Sequence, residues 1–479
     1  MVYDGKPSRA CLPCRRRKLR CDLKRDSCGQ CIRAGLDCTG YRNPHDLRIQ
    51  NETKLVKRKV LEAKNVTVSR FGEPSLQQKS RGAFLSHYVH GISGSYDVIA
   101  LFDNASLDTH LDASINAASL AFFHFQYFSP RASDLARKGY YTALKLVNVA
   151  LQNPNSLASD STLLAVLLLD LFEKFTNSNS RSSVAWMSHV NGALALIKLR
   201  DSIQFQTYIG RRLSFRLATS LLISCVAGSA PVPPALRSLR AELENYVNVE
   251  DPKWKLTDLS IKSADLKAAI HQGLLSNEEK ILQSKQLDSE FSSLSANMPA
   301  TWLSQRKYLE RPSQRVFGQF YDLYPSYFVT QTRNVIRLTR IVLNHEIRTL
   351  YKAQPLDIDT TTEAIQLTFI DRIIDDIARE ICASGPQFTG AGESLTPNKK
   401  ATDSVQKFFC HTLLFPFYVA GLYASPGSMI RPWVLNQLRY IAKEFEVRHA
   451  ATVADILDSE EPKDPWSVYA ILGSYAFAS

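Results

Sequence analysis

Six of the nine cysteines lie between Cys11 and Cys38, in the order C-x2-C-x6-C-x6-C-x2-C-x6-C. Cys11, Cys14 and Cys21 recur as Cys28, Cys31 and Cys38, so one half-motif is used twice, 17 residues apart. A C-x2-C pair lets two thiolates reach one metal from a tight turn, and a third can return after a short helix. Each half offers three sulfurs, whereas a closed zinc site takes four. Two separate sites would need eight ligands. Six suffice if two sulfurs serve both metals, so the count points to a binuclear cluster. Thiolate-only ligation suits zinc. A zinc ribbon or RING would use other spacings. An iron–sulfur cluster would need four cysteines per cluster, and a redox C-x-x-C would sit beside a βαβ pattern that is not visible. A segment of about forty residues cannot fold on its apolar core alone, so metal must supply the folding energy. The expected cofactor is two zinc ions per chain.

Charge gives this segment a partner. The chain of 479 residues has a net charge of +12; residues 1–60 hold 16 Lys/Arg and 6 Asp/Glu, a balance of +10, leaving +2 for all the rest. A localised basic block on a nearly neutral body fits a polyanion. The insert between Cys14 and Cys21 is Arg15-Arg16-Arg17-Lys18-Leu19-Arg20, while Ile32 to Asp37, between Cys31 and Cys38, has no net charge. A symmetric metal core with one basic helix should present that helix to the major groove of double-stranded DNA. Nearby Arg and Lys also favour the thiolate form of the cysteines.

These residues resemble the fungal binuclear zinc cluster (Zn2Cys6) family of transcription factors. The resemblance implies that Cys11 and Cys28 bridge, with Cys11, Cys14, Cys21 and Cys28 around one zinc and Cys28, Cys31, Cys38 and Cys11 around the other. It implies that Lys18 reads a CGG triplet, where a lysine meets guanine O6 and N7, and that Arg17 contributes through its backbone carbonyl. Arg9, Arg15 and Arg20 match phosphate-contacting positions, whereas Arg16 and Arg33 read as solvated charges. One departure stands in the loop from Asp22 to Ser27: Asp26 replaces the proline that many members carry before the fourth cysteine.

The elements behind the cluster are read as follows. Residues 47–64 are basic, and Ile49, Val56 and Val60 form a candidate homodimer seam of barely two heptads. Lys54–Lys59 and Arg15–Arg20 are candidate nuclear-import patches. Residues 66–100 look like a poorly ordered connector. Helical periodicity then dominates: Leu135, Tyr140, Leu144, Val147 and Leu151 share one face, and Asn153-Pro-Asn ends that helix. Ser159 or Asp160 caps the next, where Leu163–Leu169 with Leu171 and Phe172 mark a buried helix. Two more helices carry Trp186 to Ile197 and Arg211 to Val226. Strand-like alternation is rare, which predicts an all-helical array. Trp186-Met-Ser-His189-Val-Asn-Gly192-Ala resembles the fungal-specific transcription factor regulatory domain, loosely over 110–445, with further matches at Asp288, Phe291, Leu294, Pro299, Trp302 and from Tyr321 to Arg337. His189 beside Trp186 reads as a core residue rather than a ligand.

The expected fold is therefore a small metal-stabilised Zn2Cys6 domain (1–45), a basic linker and connector (46–109) and a large all-α regulatory domain (110–479). No apolar run is long enough to span a bilayer, and the N-terminus lacks the apolar stretch of a secretory signal. No H-E-x-x-H, G-x-S-x-G or Walker loop is present, so an enzyme is not expected. Cys225, Cys382 and Cys410 read as small core residues. Together with the resemblance these features imply a nuclear transcription factor of RNA polymerase II genes that reads CGG-type triplets and works with a coactivator or corepressor. The alternative is a zinc-stabilised protein-interaction scaffold or corepressor with little DNA specificity, which would leave the basic insert without a purpose. Residues 455–469, with acids beside Ile456, Leu457, Trp466 and Tyr469, are a candidate activation segment, against the plainer reading of an acidic loop between terminal helices.

Overall fold

The 17-residue repeat is structural as well as sequential. In a computed structural model, which describes residues 8–41, 74–92, 108–176, 183–353, 360–390 and 404–472, α1 (Leu12–Arg16) and α2 (Gly29–Arg33) follow Cys11 and Cys28 respectively. Five-residue helices are not stable alone. Each is closed by the same pair of bonds. Leu19 N–H donates to Cys14 O (3.0 Å) and Lys18 N–H to Arg15 O (3.3 Å); Leu36 N–H donates to Cys31 O (3.0 Å) and Gly35 N–H to Ile32 O (3.2 Å). This is the Schellman ending, which needs a left-handed residue just past the helix. The residues in that position are Lys18 (φ 52°) and Gly35 (φ 58°).

The chain divides into two compact units, Met1–Glu73 and Pro74–Ser479. The second begins with α3 (Leu76–Ala83), opened by a capping box in which Ser75 and Gln78 satisfy each other's N–H groups. It runs on as a π-helical stretch, Phe84–Ile92. Part of the expected connector is thus helical, because Phe84, Tyr88 and Val89 are buried anchors among polar neighbours. The rest of 66–100 and the 47–64 seam, with Lys54–Lys59, lie outside the described residues.

Next come α4 (Thr109–Tyr127), α5 (Pro130–Leu151), α6 (Pro154–Ala158), α7 (Asp160–Thr176), α8 (Ser183–Arg200), α9 (Tyr208–Ala227), α10 (Pro234–Leu243), α11 (Pro252–His271) and α12 (Asn277–Ala296). Proline opens α5, α6, α10 and α11, where its missing N–H costs nothing. Gln152 ends α5, Ser159 Oγ accepts from Ser161 N–H at the start of α7, and Gly228 ends α9. The apolar run of α7 is buried as expected. Of the expected face of α5, Val147 is buried and Leu135, Tyr140 and Leu151 pack partly buried against the core, but the most deeply buried line is shifted. Ala132, Ala136, Ala143, Val147 and Ala150 are buried, while Leu144 is exposed. The cause is the close approach of α4: a Cβ at Gly139 would stand 3.6 Å from Ala117 Cα, so small residues make the contact. The side chains of Trp186 and His189 lie outside the described residues.

Among the described residues the all-helical expectation meets one exception. β1 (Gln305–Tyr308) pairs antiparallel with β2 (Phe320–Leu323). All four residues of β1 are exposed, so it carries no alternation to read. Asp322, buried, holds Arg306 at 2.9 and 3.0 Å. Then follow α13 (Tyr327–Ala353), α14 (Thr360–Ser384), α15 (Pro386–Thr389), α16 (Ser404–Tyr423), α17 (Ile430–Glu444), α18 (Arg448–Asp458) and α19 (Pro465–Leu472). Among the described residues no helix is long and apolar enough to cross a membrane.

The second unit's core has three clusters. One joins α4, α5, α7 and α9 through Phe122, Val147, Leu163, Phe172 and Leu217. Another joins α13, α14 and α16 to α19, and a third lies between α11, α12 and α13. Cys225, Cys382 and Cys410 are fully buried. Asp288 pairs with Arg340 (2.8 Å), and Phe291 and Trp302 are buried in the third cluster. The candidate activation segment is largely absorbed by the core. Leu457 and Val468 are fully buried, and Trp466 packs against Phe415 and Tyr469. Its apolar anchors are therefore occupied, and the acids between them form a loop joining α18 to α19.

Candidate metal centre and nucleic-acid interface

Helices α1 and α2 begin immediately after Cys11 and Cys28, and their first turns carry Cys14 and Cys31 inward. All four sulfurs are buried; Cys21 and Cys38 close the sides, half-buried. The Sγ atoms form two quartets, Cys11-Cys14-Cys21-Cys28 and Cys11-Cys28-Cys31-Cys38, with all members of a quartet within 4.8 Å of one another. Cys11 and Cys28 belong to both. Their sulfurs are 3.7 Å apart; Cys11 is 3.6 Å from Cys31 and 3.9 Å from Cys21, and Cys14 is 3.6 Å from Cys28. A disulfide needs about 2.05 Å. A zinc tetrahedron with bonds of about 2.3 Å has sulfur–sulfur edges of about 3.8 Å, and the observed separations match that edge. The cysteines are thus positioned to bind zinc.

Crowding sets the thiol chemistry. Burial, then contact with Cys11 and Cys28, pushes Cys14 up to about 12, and the same causes push Cys31 higher. Burial also tends to raise Cys28, but its sulfur accepts from Cys31 N–H (3.4 Å), and its neighbours' bonds bring it down to about 6. Without a cation, six thiolates cannot share this space. Metal binding must therefore displace protons.

Two residues not singled out from the sequence hold the linking loop. The carboxylate of Asp22 accepts from Gly29 N–H at 3.1 and 3.2 Å, anchoring the start of α2. A Cβ at Gly29 would stand 2.8 Å from Asp22 Oδ2, so the pair is interdependent. The Tyr41 hydroxyl donates to Lys24 O and packs its ring against the cysteines. Leu23 (φ 54°) and Asp26 (φ 63°) are left-handed. Proline is locked near φ −65°, so Asp26 takes a backbone conformation closed to the proline it replaces.

Arg9, Arg16, Arg17, Lys18 and Arg20 are exposed, and Arg15 is half-buried. Arg17 caps α1, which places Arg17 and Lys18 together at its C-terminal end, with Arg20 two residues on. The corresponding end of α2 carries Ala34 and Gly35. With the exposed Arg33 as the last residue of α2, positive charge is concentrated on the first half without being confined to it.

Two family models match the chain: the fungal Zn(2)-Cys(6) binuclear cluster domain over residues 9–48 and the fungal specific transcription factor domain over residues 83–228. The second match begins before the expected boundary at 110, includes the helical stretch from Phe84, and ends where α9 ends. No protein of curated function and no solved structure shows significant similarity to the chain. The chain therefore carries a fungal Zn(2)-Cys(6) binuclear cluster domain followed by a fungal specific transcription factor domain, the pairing of a DNA-binding transcription factor.

Proposed function

We propose that the first unit reads CGG-type triplets in the major groove while holding two zinc ions. Cys11 and Cys28 bridge them; Cys14 and Cys21 complete one site, Cys31 and Cys38 the other. The observation that carries this reading is the pair of sulfur quartets with two shared members, joined to a helix whose exposed end gathers Arg16, Arg17, Lys18 and Arg20, where the matching end of α2 has Arg33 alone. Lys18 supplies donors to guanine O6 and N7. Arg17 turns its backbone carbonyl toward the bases. Arg9, Arg15 and Arg20 bind phosphates and set the register.

The chain acts in the nucleus on RNA polymerase II genes. Residues 1–45 bind DNA, the segment behind them links, and the helical body contacts a coactivator or corepressor. A homodimer through residues 47–64 would place two such readers on one site. The test compares full-length protein on CGG-bearing and scrambled duplexes. Lys18→Ala should lose about 1–3 kcal/mol of preference for the triplet. Arg20→Ala should weaken both duplexes alike and reduce the salt slope by about one. Equal loss on both duplexes for Lys18→Ala would refute the base-reading role.

A further inference from the structure

A cavity of about 350 Å³ lies inside the second unit between α9, α11 and α13, with Trp466 of α19 at its edge. That volume is in the range of small-molecule sites. Protein interiors are otherwise packed without voids of such size. Its wall is mostly apolar and draws on all three core clusters: Leu222 from the first, Leu338 from the second, Leu266 and Leu343 from the third.

Polar side chains interrupt this apolar wall at intervals, and those of α11 are ordered. Lys253, Thr257, Ser260, Ser263 and Lys267 line the cavity along one face of α11. At three to four residues per step they follow the helix axis, which puts the two lysines on the order of 20 Å apart. On α13 the lining runs from Gln331 to Glu346, a similar length. The cavity is thus a trough running along two helices. On its wall, Ser284 Oγ and Gln331 Nε2 are buried without a hydrogen-bond partner among the described residues. Buried polar groups are seldom left so.

The two ends differ. Lys267 Nζ donates to Val226 O (2.8 Å) and stands 4.3 Å from the Trp466 ring centre. Burial pushes its ammonium down to about 8, as at Lys253, but Asp464 offsets part of its charge and Glu346 lines the far end of α13. Lys253 is served differently. Its Nζ sits 4.6 Å from the Phe328 ring centre, and the cations Arg212 and Arg216 lie near. The nearby carboxylate of Asp251 accepts from the N–H groups of Lys253 and Trp254, capping α11. Burial, then the two arginines, pushes the Lys253 ammonium down to about 8. An anion at this end would offset the repulsion from the two arginines and favour the ammonium form.

We propose that this trough binds an amphipathic organic acid, its elongated apolar body lying between Leu222, Leu266 and Leu338 and its acidic group meeting Lys253. A bound ligand would touch all three clusters at once. The binding is measured without DNA, so its outcome is independent of how Lys18 reads bases.

The test titrates full-length protein with dodecanoate, dodecanol and dodecyltrimethylammonium below their micelle concentrations, by calorimetry and by the rise in unfolding temperature. Dodecanoate should saturate one site per chain at least tenfold more tightly than dodecanol, and the cation should not saturate. Lys253→Met should bring dodecanoate to the dodecanol level and leave dodecanol unchanged. Ser260→Phe, which fills the trough, should abolish both in protein whose circular dichroism matches the parent. Equal affinity for the three probes, saturation by none, or dodecanoate binding that survives Lys253→Met overturns the proposal.

Discussion

Lys18 and Gly35 occupy the same station in the two halves of the cysteine repeat, each the left-handed residue that closes a five-residue helix, at φ 52° and φ 58°. Glycine takes this conformation without steric cost, whereas a side chain there costs about 1 kcal/mol. Glycine would serve the fold equally well in both places. Strain kept at an exposed cation within the basic insert points to what the side chain does. Lys18→Gly should therefore leave zinc retention against a competing chelator unchanged or improved, and lower discrimination for CGG duplexes at least tenfold. Loss of zinc by this variant would show instead that Lys18 holds the cluster together.

The shared sulfurs predict unequal consequences for the six cysteines. Removing Cys11 or Cys28 takes a ligand from both quartets; removing Cys21 or Cys38 takes one from a single quartet. Native mass spectrometry of Cys11→Ser or Cys28→Ser should find no retained zinc. Cys21→Ser and Cys38→Ser should each keep one ion at metal concentrations that saturate the parent. A similar loss for all four variants would mean that the two quartets bind as one unit.

Much of this site was legible because metal ligation constrains sequence spacing directly. The repeat, the shared sulfurs and the uneven charge all follow from residue order. The same repeat also sets Lys18 against Gly35, a pairing open to reading but visible as strain only once φ is known. Asp22 and Tyr41 carried no such signal, since their roles depend on how the loop from Asp22 to Ser27 folds back. In the helical body, periodicity located α7 and α9 and most of the inward face of α5, but it missed the closest line of contact there, which is made by alanine and glycine that hydrophobic patterning underweights. The hairpin escaped because β1 buries nothing, and the fate of Trp466 and Leu457 was decided by distant partners such as Phe415.

Arg200 supplies a sharp test of the helical body. Its side chain is fully buried at the end of α8, donates to Asp160 Oδ1 (2.7 Å) and also to Ser159 O at the start of α7. Asp160 Oδ2 accepts from Thr207 (2.7 Å), which caps α9. One carboxylate thus ties three helices within the matched domain. Arg200→Ala should cost about 2–4 kcal/mol, because it empties a fully buried site and leaves a partly buried carboxylate without its cation. The double variant Arg200→Met with Asp160→Leu should recover part of the loss. Urea unfolding followed by circular dichroism measures both, and an effect below about 1 kcal/mol for Arg200→Ala would place the pair among weak surface bridges.

Acid should loosen the same body through His449. This ring on α18 stacks on Phe125 with centroids 4.1 Å apart, lies 5.7 Å from Phe128, and is 6.1 Å from the ring of His411. Burial pushes its imidazolium down to about 4, so the folded protein holds it neutral where the unfolded chain, near 6.5, would take a proton. Between those values the unfolded state binds more protons. Stability from this group is therefore complete above about pH 6.5 and is lost as pH falls toward 4, about 3 kcal/mol in total. His345 follows the same direction. Burial, then Arg348 and Lys352, pushes it to about 4, so it preserves part of the slope when His449 is replaced. His449→Phe should keep the aromatic stack and remove about one proton from the pH dependence of urea unfolding between pH 4 and 6.5. If the variant shows the parent's slope, His449 is protonated without cost in the folded state, and its packing against Phe125 is looser than the 4.1 Å stack implies.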